Sequence, residues 1–91
     1  MTAYSDARLK KDVETVRDAV AIVKRLRGVF YNRIEDDKAG VGVIAQEIRE
    51  VLPQVVNEND GTLSVAYGNI SGVLIEAIKE LNARLAKLEA A

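Results

Sequence analysis

YGNISGVLIEAIKELNARLAKLEAA, residues 67–91, decides the architecture. Leu74, Ile78, Leu81, Leu85 and Leu88 fall at spacings of four, three, four and three, which is the a/d seam of a helix that pairs with other helices. Ser71 and Tyr67 extend the seam weakly upstream. Glu76, Lys79, Glu80, Arg84, Lys87 and Glu89 are expected to decorate the outside of this helix. Such a stripe either packs on its own domain or joins copies of the chain. A narrow seam at the end of 91 residues finds little else to cover it, so the pattern favours self-association. The a and d residues do not set the number of strands, and Ile at one a position with Leu at d leans slightly towards two.

Upstream, residues 12–66 read as a small α+β body preceded by an arm, residues 1–11. Val13, Val16, Val20, Val23 and Leu26 recur at helical spacing, with Asp12 as the expected N-cap, Glu14 in the first turn, Lys24, Arg25 and Arg27 in the last, and Gly28 as the terminating residue. Val29–Ile34 is rich in aromatic and β-branched residues and predicts a strand, followed by a polar turn and a short return strand at Val41–Val43. Ile44, Ile48 and Val51 or Leu52 line one face of a short helix that Pro53 cannot continue. Asp60-Gly61 between Val55–Asn57 and Thr62–Ala66 is a hairpin signal. The predicted fold is therefore α+β: two helices, short antiparallel strands and a long terminal helix at 67–91.

Composition removes most chemistries. The chain has no Cys, His or Trp, which excludes disulfides, the usual zinc ligand sets and histidine-based catalysis, and no metal or cofactor is expected. Thirteen basic residues against fourteen acidic ones supply no electrostatic case for nucleic acid or a membrane surface as partner. Apolar runs are far too short for a membrane span, and Met1–Tyr4 lacks the features of a signal peptide. A domain of this length has a marginal core, and with neither disulfide nor metal, oligomerisation is the remaining remedy.

Among the Ser, Thr, Tyr, Lys and carboxylate groups that remain, one cluster stands out: SDARLKKD, residues 5–12. A serine near a lysine is ordinarily just a polar arm. In this chain the cluster is followed by a helix, then Tyr31, then GVIAQE at residues 42–47, then a hairpin ending in Leu63-Ser64-Val65, Tyr67 and a heptad helix. From Ser5 to about Leu88 this order resembles the endosialidase-type intramolecular chaperone and auto-processing peptidase family of phage tailspikes and tail fibres. Gly28, where many relatives carry Pro, and Asn32, where an aromatic is frequent, depart from the pattern in the region of the first strand.

The resemblance implies a homotrimer that registers the chains of an upstream β-helical or fibrous stalk of the same pre-protein. It also implies release by autoproteolysis beside Ser5, in the host cytoplasm during virion assembly, with the released fragment absent from the mature virion. The family's catalytic pair falls on Ser5 and Lys10, with Tyr4, Ser5 and Asp6 bracketing the cut and Arg8 and Asp12 in support. With four residues before Ser5, an isolated chaperone domain close to its released form is expected.

A serine hydroxyl needs an adjacent base, and without His a neutral lysine is the available one. Burial or a neighbouring cation such as Lys11 or Arg8 must favour that neutral form, so activity gated by assembly is expected. Residues five apart do not face each other on a helix, so Ser5 and Lys10 need a turn between them or a lysine from another protomer. Attack by the Ser5 hydroxyl on the Tyr4 carbonyl closes a five-membered ring and favours the Tyr4–Ser5 bond. Ser5–Asp6 stays open to attack from another chain or to participation by Asp6. Arg8 and backbone N–H groups are the oxyanion candidates. Two other readings remain: a non-catalytic module that only registers chains, and a small coiled-coil adaptor unrelated to fibres.

Overall fold

The computed structural model describes residues 2–91; Met1, the first residue of the expected arm, lies outside the described residues. A single 3-10 turn at Ala7–Leu9 precedes α1 (Ala19–Val23), and β1 (Val29–Asn32) and β2 (Ala39–Gly42) form the first hairpin. After α2 (Ala45–Arg49) and a 3-10 turn at Pro53–Val55 come β3 (Val56–Asn59), β4 (Thr62–Val65) and the long α3 (Tyr67–Ala90). This is the small α+β arrangement expected: three helices and two separate antiparallel hairpins.

Local chemistry accounts for most of these elements. In the second hairpin Asn59 pairs with Thr62, leaving Asp60 and Gly61 as a two-residue loop. Both have positive φ, 50° and 80°, as a type I′ turn requires. In the first hairpin Tyr31 sits opposite Gly40, and a Cβ at Gly40 would lie 2.6 Å from the Tyr31 ring. Glycine lets the ring lie across the neighbouring strand.

The first helix differs from the expectation. Asp12 is not its N-cap: Asp12 has φ 54°, and the chain stays non-helical until Asp18, whose own φ is 55°. Val13, Thr15 and Val16 are β-branched and gain little from a helix. Val13 is 78% exposed, so of the apolar residues ahead of Asp18 only Val16 packs against the core, too little to hold an extra helical turn. Helical hydrogen bonding continues to Leu26, whose N–H donates to Val23 O over 2.9 Å. Gly28 does not terminate it through a left-handed conformation, because Gly61 alone among the glycines has positive φ.

The core is small and lies in two clusters. Ala19 and Val20 of α1 pack on Val73 and Ala77 of α3, and Ile48, Val55 and Ile70 form the second cluster; Leu52 touches both. The buried stripe of α3 thus runs through Ile70, Val73 and Ala77 and continues into Glu80, at successive spacings of three, four and three. Glu80 was expected outside; instead its carboxylate accepts the backbone N–H groups of Ala19 (2.6 Å) and Val20 (3.2 Å).

The a/d seam lies on a different face and is not covered by the chain's own body. Leu74, Ile78, Leu81, Leu85 and Leu88 are between 43% and 74% exposed, and every residue from Leu81 to Ala90 is exposed. Although long, α3 is not apolar enough to cross a membrane.

Candidate functional site

The arm carrying Ser5 and Lys10 is held by local bonds alone: residues 2–15 are all exposed. Asp6 is extended (φ −62°, ψ 136°) and caps the Ala7–Leu9 turn, its Oδ1 accepting the Arg8 backbone N–H over 2.9 Å. The turn closes through Leu9 N–H to Asp6 O (3.0 Å) and Lys10 N–H to Ala7 O (3.1 Å). This reverses the chain just enough to bring Lys10 back over Ser5. Lys10 Nζ lies 2.5 Å from Ser5 Oγ and donates also to the Ser5 carbonyl oxygen over 3.1 Å. Within the single chain, an intervening turn lets Lys10 meet Ser5, as spacing requires of a same-chain contact.

Arg8 does not reach Ser5 or Lys10. Its guanidinium forks onto Asp6, Nε to Oδ1 at 3.1 Å and Nη2 to Oδ2 at 2.8 Å. The side-chain hydrogen bond from Arg8, with the backbone bond behind it, holds the Asp6 carboxyl below the usual carboxylate range and raises the Arg8 guanidinium. Asp12 makes no ion pair or side-chain hydrogen bond among the described residues. Tyr4, on the far side of Ser5, is 97% exposed. The structure therefore brings together Ser5, Lys10 and, through the turn, Asp6 and Arg8; it leaves Asp12 apart.

Elsewhere, Gln46 lines an open groove with Val43, Ile44, Leu63, Val65 and Tyr67. Glu47 is a structural partner: Arg27 Nη2 donates to its Oε2 over 2.6 Å and Nε to Oε1 over 3.1 Å, tying α2 to the chain just before β1. The Tyr67 hydroxyl accepts the Val43 N–H at 3.3 Å, over Gly42. Among the long-range polar contacts that sequence reasoning missed, that of Glu80 spans the most residues. Its signal was present, since Glu80 continues the spacing of Ile70, Val73 and Ala77 rather than that of the seam.

Comparison with known proteins points the same way as the residues. The sequence profile of the family described as chaperone of endosialidase matches residues 5–57, beginning at Ser5. The chain is 33% identical over 95 residues to the long tail fiber protein Gp37 of Enterobacteria phage K3, covering 93% of this chain and 8% of that protein. It is equally 33% identical over 95 residues to Gp37 of Enterobacteria phage T2, covering 93% of this chain and 7% of that protein. To Gp37 of Salmonella phage S16 it is 35% identical over 82 residues, 80% of this chain and 11% of that protein. The profile takes in more than half of the residues, including the whole arm from the serine onward, and on that ground the chain belongs to the chaperone-of-endosialidase family.

Proposed function

We propose that this domain trimerises, brings the chains of a phage tail fibre or tailspike into register, and then cuts itself free beside Ser5. The observation that carries the reading is the 2.5 Å contact between Ser5 Oγ and Lys10 Nζ in an arm otherwise bare to solvent. The uncovered Leu74–Leu88 seam supports the assembly half, since about two heptads of exposed Leu and Ile at a/d spacing gain most by burial against copies of themselves. The relatives named as long tail fibre proteins support a fibrous client. The work takes place in the host cytoplasm during virion assembly, and the released fragment stays out of the mature virion.

In the exposed arm the lysine donates to the serine. Assembly that covers the arm removes Lys10 from water and favours the neutral amine, and the same contact then runs the other way. The Ser5 hydroxyl proton passes to Nζ as Oγ bonds to the Tyr4 carbonyl carbon. The C–N bond between Tyr4 and Ser5 breaks, the nitrogen takes the proton back, and an ester joins Tyr4 to Ser5. Water hydrolyses that ester, leaving a carboxylate on Tyr4 and restoring the hydroxyl. Nζ also touches the Ser5 carbonyl oxygen, a contact that would serve a cut at Ser5–Asp6 by a hydroxyl from another chain. The released domain begins with Ser5 in the first case and Asp6 in the second.

The test is expression behind a tail-fibre stalk, with Ser5→Ala and Lys10→Ala alongside, read by denaturing gel and intact mass. Wild type yields two fragments and each variant one uncut chain. If all three remain full length while still assembling the stalk, the domain is a registration module without peptidase activity.

A further inference from the structure

The dyad is closed by six consecutive residues with no help from the body of the domain, so something within those residues must hold the lysine to the serine. The Lys10 side chain is long and rotamer-rich, and ordering it in open solvent is unfavourable unless the backbone already points it. Three bonds onto one carboxylate do the pointing. Asp6 Oδ1 takes the Arg8 N–H and Nε, and Oδ2 takes Nη2, while the Asp6 carbonyl accepts from Leu9. Neither Asp6 oxygen bonds to Ser5 or Lys10.

Resting on the cleavage reading above, we infer that Asp6 is the positioning residue of the dyad: its carboxylate caps the Ala7–Leu9 turn and thereby sets Lys10 Nζ on Ser5 Oγ, without itself handling a proton. Arg8 clamps the same carboxylate and is one step further removed. The low proton affinity that Arg8 confers on Asp6 keeps the cap ionised across neutral pH and suits it poorly to act as a base.

Capping needs an acceptor oxygen, not a charge, whereas proton transfer by Asp6 would need the carboxylate. Asp6→Asn and Asp6→Ser keep an acceptor for the Arg8 N–H; Asp6→Ala keeps none. In the stalk fusion, Asp6→Ala is expected to cut roughly tenfold more slowly, as loss of a typical cap implies. Asp6→Asn and Asp6→Ser should stay within about threefold of wild type, and Arg8→Lys should fall between. The thermal midpoint of the separate chain should not move in any of them, since residues 2–15 are all exposed there, and trimer mass should not change, since no seam residue is altered. A second readout needs no cleavage. In this chain alone, a nuclear Overhauser contact between the Lys10 ε-methylene and the Ser5 β-methylene should be present in wild type and Asp6→Asn and absent in Asp6→Ala.

If Asp6→Ala keeps that contact, or cuts at the wild-type rate while Ser5→Ala is dead, Asp6 positions nothing and the cleavage reading survives. If Asp6→Asn is as slow as Asp6→Ala yet keeps the contact, the carboxylate acts chemically and the positioning role is overturned. An uncut wild type whose Ser5–Lys10 contact depends on Asp6 sinks the peptidase reading instead.

Discussion

Glu80, just past the middle of the chain's last helix, accepts the backbone N–H of Ala19 at the start of α1 over 2.6 Å, across 61 residues of sequence. A helix begins with N–H groups that have no partner within it. Asp18 stands at the N-cap but makes no side-chain cap bond, so the carboxylate from α3 takes that place. Its negative charge at a helix N-terminus is also electrostatically favourable.

Glu80→Ala is therefore expected to destabilise the domain by about 1–3 kcal/mol, the cost of leaving part-buried N–H groups without a charged acceptor. Glu80→Gln, which keeps one acceptor oxygen, should lose about half as much. Urea unfolding at fixed protein concentration measures both, because association would otherwise shift the midpoint. Equal stability of Glu80→Ala and wild type would show that solvent serves those N–H groups equally well.

Ile48 is the largest fully buried side chain, 0% exposed, held between Val55 and Ile70. Ile48→Ala should cost about 2–5 kcal/mol. With so few residues in the core, thermal unfolding by circular dichroism should then show a variant largely unfolded at physiological temperature.

The seam of α3 is separable from its buried stripe. Leu81→Asp with Leu85→Asp changes only exposed seam positions, 51% and 54% accessible. Light scattering should report three copies for wild type and one for the double variant. Lys79→Ala, outside the seam, should leave the mass at three. A single copy for wild type at micromolar concentration would remove the assembly proposal.

Arg27 and Glu47 make the pH-dependent tie between α2 and the approach to β1. The Arg27 hydrogen bonds hold the Glu47 carboxyl below its ordinary 4.5, against the opposing effect of desolvation, and raise the Arg27 guanidinium above its ordinary value. A depressed carboxyl contributes stability that is complete above that ordinary, unfolded value and is lost as pH falls through the lower folded value. The raised arginine contributes fully throughout that window, which lies far below its own. Urea midpoints of wild type and Glu47→Gln should accordingly differ by a constant amount above about pH 5 and converge on acidification. The gap itself should be small, because both groups are solvent-exposed.

Much of the architecture was legible because it is written in short-range patterns. Asp60-Gly61 can turn tightly with both φ positive, Pro53 cannot continue α2, and the leucine spacing of α3 carries its own period. The first helix starts later than its spacing suggests because Val13 and Val16 keep helical spacing without an apolar surface to receive Val13. Spacing records what a segment could bury, and burial needs a partner. Glu80 was misjudged for the complementary reason, since a charged residue on a helix reads as solvated until a distant N–H is known to face it.

The order of elements, the second hairpin's turn and the apolar seam are legible in the chain alone, since each depends on residues a few positions apart. Where α1 begins, which face of α3 the body uses and how the Ala7–Leu9 turn folds Lys10 back towards Ser5 emerge once distant or bent segments meet. Helix ends and side-chain meetings are settled by which donors find acceptors once the chain is folded, and in this protein the decisive acceptors are Glu80, far along the chain, and Asp6, at the head of its own turn.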